Sequence, residues 1–243
     1  MTVPATSWPD LLASDALFLD FDGTLAELQD DPGAVHLAAG LDEILRQCAA
    51  KLDGALAIIS GRDIDDLTQR VPNDLWRFGN HGLRAAAPGA LPTPSPQAAP
   101  ADLVTRLASA ITPFHGVRIE DKGAVIAIHY RAAPDSAEAL SPQLEDIVSD
   151  FKDYKLQHGK MVFEAKPLAA NKGRCIAGAL AQVPFTGRRP IMIGDDTTDE
   201  DAFAAVQTAG GLGIKVGAGA TIADYRMANV ADTHQFLRGF IKS

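Results

Sequence analysis

The stretch Asp15-Ala-Leu-Phe-Leu-Asp-Phe-Asp-Gly-Thr-Leu25 decides how the rest of the chain is read. Ala16 to Leu19 is a short apolar run of the kind that forms a strand buried on both faces. Two carboxylates then follow two residues apart, Asp20 and Asp22, with Gly23 and Thr24 directly after them. On extended backbone, residues i and i+2 point the same way, so the spacing predicts that both acids project together from the strand's carboxyl end. In open α/β sheets that end is where ligands bind. Like charges this close are costly unless a cation or a shared proton offsets them, and a divalent metal is the first candidate. Asp and Gly are also ordinary turn residues, so the pair alone does not separate a site from a strand end.

The flanking sequence alternates between two periods. Leu41, Ile44, Leu45, Cys48 and Leu52 recur at helical spacing, and Ala55 to Ile59 is a second apolar strand that finishes at Ser60-Gly61-Arg62. Ile64 and Leu67 begin another helix, and Trp76 to Asn80 reads as a third strand entering Asn80-His81-Gly82. Strand–helix–strand order with polar residues at strand ends predicts a parallel α/β core. Ala85 to Ala101 then carries five prolines among alanines without periodicity and is read as a surface linker.

The segment after it has another rhythm. Leu103 to Phe114 is helical in pattern, Val117 to Glu120 is a strand, and Asp121-Lys122-Gly123 is a hairpin turn into a half-buried strand over Ala124 to Tyr130. Asp135 to Phe151 is a second helix, and a second hairpin turns around His158-Gly159-Lys160. From Asn171-Lys172-Gly173 the helix–strand alternation resumes. Strand Pro190 to Ile193 runs into Gly194-Asp195-Asp196-Thr-Thr-Asp199-Glu-Asp201, and another strand with two more helices ends the chain. The expected architecture is α/β: a parallel, Rossmann-like core sheet (residues 1–84 and 169–243) with an inserted α+β unit (85–168).

The 243 residues carry 22 Lys and Arg against 31 Asp and Glu, a formal charge of -9. Nucleic acid or an anionic membrane as main partner would need basic patches, so neither is expected. Cys48 and Cys175 are isolated, which suggests reduced thiols with packing roles. No basic, apolar leader opens the chain and no run approaches membrane-spanning length, so a cytoplasmic protein is expected.

Asp20/Asp22, Ser60, Lys172 and the Asp195–Asp201 run now fall at element ends of one core. Individually, Ser60 reads equally well as a helix cap, Lys172 as a surface cation, and Glu200 and Asp201 as first-turn acids favoured by the helix dipole. As a set they fit phosphoryl chemistry. Acids suit a hard Mg2+ shared with a phosphate, a hydroxyl and an ammonium suit phosphoryl oxygens, and a carboxylate beside Mg2+ can attack phosphorus. A second carboxylate can then protonate the leaving oxygen and later activate water.

These four segments, in this order and spacing, resemble the motifs of the haloacid dehalogenase-like phosphohydrolases. Over nearly its full length the chain is similar to the trehalose-6-phosphate phosphatase family. The similarity rests on Gly54-Ala-Leu-Ala-Ile-Ile-Ser-Gly-Arg62, Gly79-Asn-His-Gly82, Glu120-Asp-Lys-Gly123, His129-Tyr-Arg131, Gly159-Lys160-x-x-x-Glu164 and Gly194-Asp-Asp-Thr-Thr-Asp-Glu-Asp201. The resemblance implies a Mg2+-dependent hydrolase of a small-molecule sugar phosphate, with Asp20 as nucleophile and Asp22 as general acid/base. It implies Mg2+ at Asp20, the Asp22 carbonyl and Asp195, with Asp199 orienting the metal's surroundings and Asp196 a candidate for the same work. Ser60 and Lys172 would steady the phosphoryl group.

Gly23, Gly61 and Arg62 join Asp20, Asp22 and Ser60 as substrate-binding candidates, with Asn80 and His81 as neighbours. Lys160 and Glu164, on the inserted unit acting as a cap, would grip sugar hydroxyls; without the resemblance they would read as a cross-strand ion pair. Where relatives carry an acid after the His-Gly phrase, this chain has Arg84. The alternatives are a capped phosphatase for another sugar phosphate, such as sucrose phosphate or a glycosyl-phosphoglycerate, and a non-catalytic phospho-acceptor or sugar-phosphate sensor.

Overall fold

The opening apolar run becomes β1 (Asp15–Leu19), buried along its whole length, in a computed structural model that describes residues 8–159 and 161–243. Helix α1 (Leu41–Lys51) follows and buries Leu41, Leu45 and Cys48, spaced i, i+4, i+7 on one face. Strand β2 (Leu56–Ile59) lies parallel to β1 with Leu19 level with Ile58. Helix α2 (Ile64–Arg70) is capped by the Asp63 carboxylate, which accepts from the Asp65 N–H. Strand β3 (Trp76–Gly79) continues the parallel order, and β4 (Arg84–Ala86) turns back antiparallel to it.

The chain then builds a second unit from α3 (Ala101–Ile111), β5 (Arg118–Lys122), β6 (Val125–His129), α4 (Ala137–Ser149), β7 (Tyr154–Gly159) and β8 (Val162–Pro167). Its strands form an antiparallel sheet in the order β5-β6-β8-β7. Ile126, Ile128, Phe163 and Ala165 point from one face into a core with Leu103 and Leu107 of α3 and Leu140, Leu144 and Val148 of α4. Alternation places Glu120, Ala127, Glu164 and Gln157 in one row across the opposite face, as the register shows.

The first fold resumes with α5 (Lys172–Leu180), β9 (Arg189–Gly194), α6 (Glu200–Thr208), β10 (Leu212–Val216), β11 (Tyr225–Met227) and α7 (Val230–Lys242). Among the described residues this sheet has the order β11-β10-β9-β1-β2-β3-β4, parallel except for β4. The chain leaves β1 toward β2 on one side and returns to β9 on the other. The switch point, where such sheets open a ligand crevice, therefore lies at the end of β1. Phe18, fully buried, stacks on Phe185 at 5.2 Å between ring centres; burying one such ring contributes about 1.5–3 kcal/mol.

The parallel α/β core with an inserted α+β segment stands as expected, with local differences. The division between the units falls at Thr93/Pro94 and Ala170/Asn171, later than the composition shift at Ala85. The Pro-rich stretch begins as β4, and Thr93 and Ala85 bond each other through Thr93 N–H to Ala85 O and Ala85 N–H to Thr93 Oγ1. The Asp121-Lys122-Gly123 turn is tighter than expected: Asp121 and Lys122 stay in β5, paired with Ile126 and Val125. Strand β6 is not half-buried, because Val125, Ile126, Ala127 and Ile128 are all fully buried. The two helices expected at the chain's end are one strand, β11, and one helix, α7. The β11 segment pairs with β10 through Ile214–Val216, a tertiary partner that local periodicity does not reveal.

Candidate active site

Asp20 follows β1 directly, and its N–H donates to the Ile193 carbonyl at 2.9 Å, which holds it against β9. Its side chain is 6% exposed. Lys172, the first residue of α5, is buried and its ammonium donates to Asp20 Oδ1 at 2.6 Å and Asp199 Oδ1 at 2.7 Å. Asp199 is fully buried, and its other oxygen accepts the Asp196 N–H at 3.0 Å while Asp196 Oδ1 accepts the Thr197 N–H at 2.7 Å. The Asp196–Asp199 run is thus a capping box that fixes Asp199 against Lys172.

Burial pushes the Asp20 carboxyl well above its ordinary value; Lys172 pulls it down, and Asp199 and Asp195 push it up again. Burial alone would lower the Lys172 ammonium, but the carboxylates of Asp199 and Asp20 overcome it and hold the lysine above its ordinary value. Two buried carboxylates thus share one ammonium, an imbalance that a bound cation would offset.

Oxygens of Asp20, Asp195 and Asp199 lie within 4.8 Å of one another. Asp195 follows β9, and its carbonyl accepts a hydrogen bond from Lys215 of β10. Gly23 makes room for the Asp195 side chain: a Cβ there would lie 2.2 Å from Asp195 Oδ2, and the residue has φ +79°, where other side chains are strained. Gly194 is needed likewise, since a Cβ would lie 2.3 Å from Asp199 Cγ.

The Asp22 carboxylate lies outside the three-acid group of Asp20, Asp195 and Asp199; its Oδ1 and Oδ2 accept from Arg62 Nη2 at 2.6 Å and Nε at 2.8 Å. The strand ends at Leu19, and the Phe21 side chain between the two acids is buried. Ser60 sits at the end of β2, buried, with its Oγ accepting the Arg62 N–H at 3.1 Å. That is the capping-type turn, and it places the hydroxyl at the same sheet edge as Asp20. His81 packs on Gly61, where a Cβ would lie 2.6 Å from the ring.

Asn80 is buried and committed: its Oδ1 accepts the Ile64 N–H at 3.2 Å and its Nδ2 donates to Asp63 at 3.0 Å, so it braces the start of α2. Arg84 is also structural, donating to Asp65 at 2.7 Å and the Thr93 carbonyl at 3.0 Å. Cys175 and Cys48 are free thiols pushed by burial to about 12, inert packing groups as expected. In the second unit Glu164 is buried, 3.9 Å from Lys122, and Glu120 meets His129 at 2.8 Å. Lys160 lies outside the described residues.

Sequence reading missed Lys215 and the partners of Arg62. A lone lysine inside the apolar run Leu212–Val216 was the available signal for the first. The Arg62, Asp66, Arg70 spacing of four was the signal for the second.

Comparison with known proteins identifies the family. The family model described as Trehalose-phosphatase matches residues 18–231. The trehalose-6-phosphate phosphatase of Escherichia coli K12 is 38% identical over 242 residues, covering 98% of this chain and 90% of that protein. A probable trehalose-phosphate phosphatase of Sinorhizobium fredii is 42% identical over 205 residues, 83% of this chain and 77% of the relative. The solved C-terminal domain of the C. albicans trehalose-6-phosphate phosphatase shares the fold, with a TM-score of 0.84 at 23% identity over 94% of this chain and 92% of that one. The chain belongs to the trehalose-phosphatase family.

Proposed function

We propose that the chain is a Mg2+-dependent phosphomonoesterase that converts trehalose 6-phosphate to trehalose and inorganic phosphate, with Asp20 as the phosphoryl acceptor. The observation that carries this reading is the buried Asp20–Lys172–Asp199 array beside Asp195 at the sheet's switch point. The substrate is that of the Escherichia coli relative's name.

The donor set fits a hard cation, since all three acids offer oxygen. In this reading Asp199, with one oxygen on Lys172 and the other on the Asp196 N–H, positions the lysine and the metal's surroundings. Asp20 Oδ2, Asp195 and the Asp22 carbonyl would hold the ion. When bound, Mg2+ would neutralise charge on the phosphoryl oxygens and on Asp20.

The Asp20 carboxylate attacks phosphorus, the P–O bond to the sugar breaks, and Asp22 delivers its proton to the departing oxygen. Asp22 then takes a proton from water, whose oxygen attacks the aspartyl-phosphate. The Asp20–phosphorus bond breaks and phosphate leaves. Lys172 keeps its charge beside Asp20 throughout and, with the Ser60 hydroxyl, faces the charge that develops on the phosphoryl group. Gly61 lets His81 approach this edge.

The inserted unit would supply selectivity. Glu164, with Glu120, Lys122 and His129 on the same sheet face, offers charged donors and acceptors for sugar hydroxyls, and Lys160, four residues before Glu164 in the sequence, would join them. A panel of sugar phosphates assayed for phosphate release, with Mg2+ and with a chelator, tests the reading. Trehalose 6-phosphate is expected to turn over fastest, and only with Mg2+. Faster turnover of another sugar phosphate would reassign the substrate, and no release from any ester would remove the enzyme reading.

A further inference from the structure

Arg62 is a positioning residue for Asp22, and we infer that it, with Asp66 and Arg70 behind it, forms a relay that sets the plane of the Asp22 carboxylate; this rests on the phosphatase reading above. The alternative role for Arg62, direct binding of the phosphoryl group, is disfavoured by how its donors are used. Of the five N–H groups of a guanidinium, one on Nε and one on Nη2 go to Asp22. The other Nη2 N–H goes to the Pro32 carbonyl at 3.0 Å, and one on Nη1 goes to Asp66 at 2.8 Å. A single Nη1 N–H is left, too little for the bidentate grip that makes arginine useful to a phosphate.

The guanidinium is also held from its face. Its Cζ lies 5.4 Å from the Phe21 ring centre, and the side chain is 12% exposed. Asp66 is locked in turn: Arg70 donates to it from Nε at 2.9 Å and Nη2 at 2.7 Å, and Arg70 Nη1 reaches the Val35 carbonyl at 2.6 Å. Two rigid forks therefore run from the loop at Gly33–Val35 to the Asp22 carboxylate.

The pairing leaves Asp22 usable. Each carboxylate oxygen keeps a second acceptor site, and the Asp22 side chain is 29% exposed. Arg62 thus fixes the carboxylate's plane and leaves the outer lone pairs to carry a proton to or from substrate and water. A flexible ammonium would supply charge without that orientation.

The test uses the whole chain with Mg2+ and two substrates, trehalose 6-phosphate and an aryl phosphate whose leaving phenolate needs no proton. Wild-type phosphate release comes first; its absence would sink the phosphatase reading and leave the relay without a reaction. With an active wild type, Arg62→Met is expected to lower kcat by about 10²-fold without raising KM. With the aryl phosphate it should show a pre-steady-state burst near one phenol per enzyme, because the first step needs no acid while the second lacks an oriented base. Arg62→Lys should not rescue it.

Asp66→Asn, whose residue bonds to the two arginines and to nothing on the substrate side, should show the same signature more weakly. It decides the matter if Arg62→Met does not fold. Raised KM with kcat kept would make Arg62 a substrate ligand. Rescue by Arg62→Lys would show that charge alone suffices, and unchanged kcat in Asp66→Asn would break the relay. Each of these three results overturns the inference.

Discussion

The ammonium of Lys172 lies 2.6 Å from Asp20 Oδ1, with both side chains all but excluded from water. Two residues far apart in the chain meet there because α5 begins and β1 ends at the same edge of one sheet. The contact joins fold to chemistry, since the same lysine also holds Asp199. Removing one member of a buried ion pair leaves its partner uncompensated, which costs about 3–5 kcal/mol. Lys172→Met should therefore lower the urea midpoint of unfolding markedly, as well as abolishing phosphate release. A variant as stable as the wild type would show that the pair is not what holds this corner.

Asp22→Asn separates the two carboxylates by role. It keeps the shape but cannot give or take the proton, so kcat should fall by about 10²–10⁴-fold while the thermal midpoint stays close to that of the wild type. Steady-state kinetics beside a melting curve checks this.

Gly23→Ala addresses the metal site without replacing any residue that would hold the ion. The new methyl group meets the Asp195 carboxylate, so Asp195 must shift. Disturbing such support typically costs about 10–100-fold in metal affinity, and the Mg2+ concentration giving half-maximal activity should rise by that order. Unchanged Mg2+ dependence would place the ion away from Asp195.

Asp66 predicts a pH effect on stability. The Arg70 hydrogen bond, opposed by burial and aided by Arg62, holds its carboxyl down at about 2. Because the folded value is depressed, the contribution is present above the ordinary carboxylate range and is lost as pH falls from about 4 toward about 2. The side chain is 38% exposed, so solvent screening keeps the effect under about 1 kcal/mol. The difference in thermal midpoint between wild type and Asp66→Asn should shrink as the pH is lowered through that window. A constant difference would mean that the pairing does not depend on charge.

Glu164 tests the inserted unit. A hydrogen bond to a charged group is worth about 1.5–3 kcal/mol, so Glu164→Gln should cut kcat/KM for the sugar phosphate by about tenfold or more. Hydrolysis of a small aryl phosphate should be nearly unchanged. Equal loss on both would assign Glu164 to folding.

Much of this was legible in the sequence because burial and alternation leave local marks. The run Ala16 to Leu19 is apolar at every position, and β1 is buried on both faces. The helical spacing through Leu41, Leu45 and Cys48 is the face α1 buries. Elements defined by distant partners were not legible. Strand β11 exists because Ile214–Val216 lies beside it, and β4 because β3 does.

The site divides the same way. Asp20, Lys172 and Asp199 were chosen by residue type at element ends and do meet. The i, i+2 spacing set Asp22 beside Asp20 at the end of β1, but the spacing gave no sign of the arginine, Arg62, that pairs with Asp22. Asn80 looked like a substrate neighbour, and its polar atoms go to Asp63 and Ile64; Arg84, where relatives carry an acid, is held by Asp65 and Thr93. Hydrogen-bond partners 9 to 19 residues apart, as these are, are set by the fold and leave no local pattern.

The claim that Asp20 accepts the phosphoryl group is tested most directly by acid-quenching the enzyme during turnover of trehalose 6-phosphate and mapping its peptides by mass spectrometry. The account predicts a phosphoryl group on the peptide containing Asp20 in the wild type and none in Asp20→Asn, which should fold but release no phosphate. A phosphoryl group on another residue, or phosphate release that persists in Asp20→Asn, would contradict it.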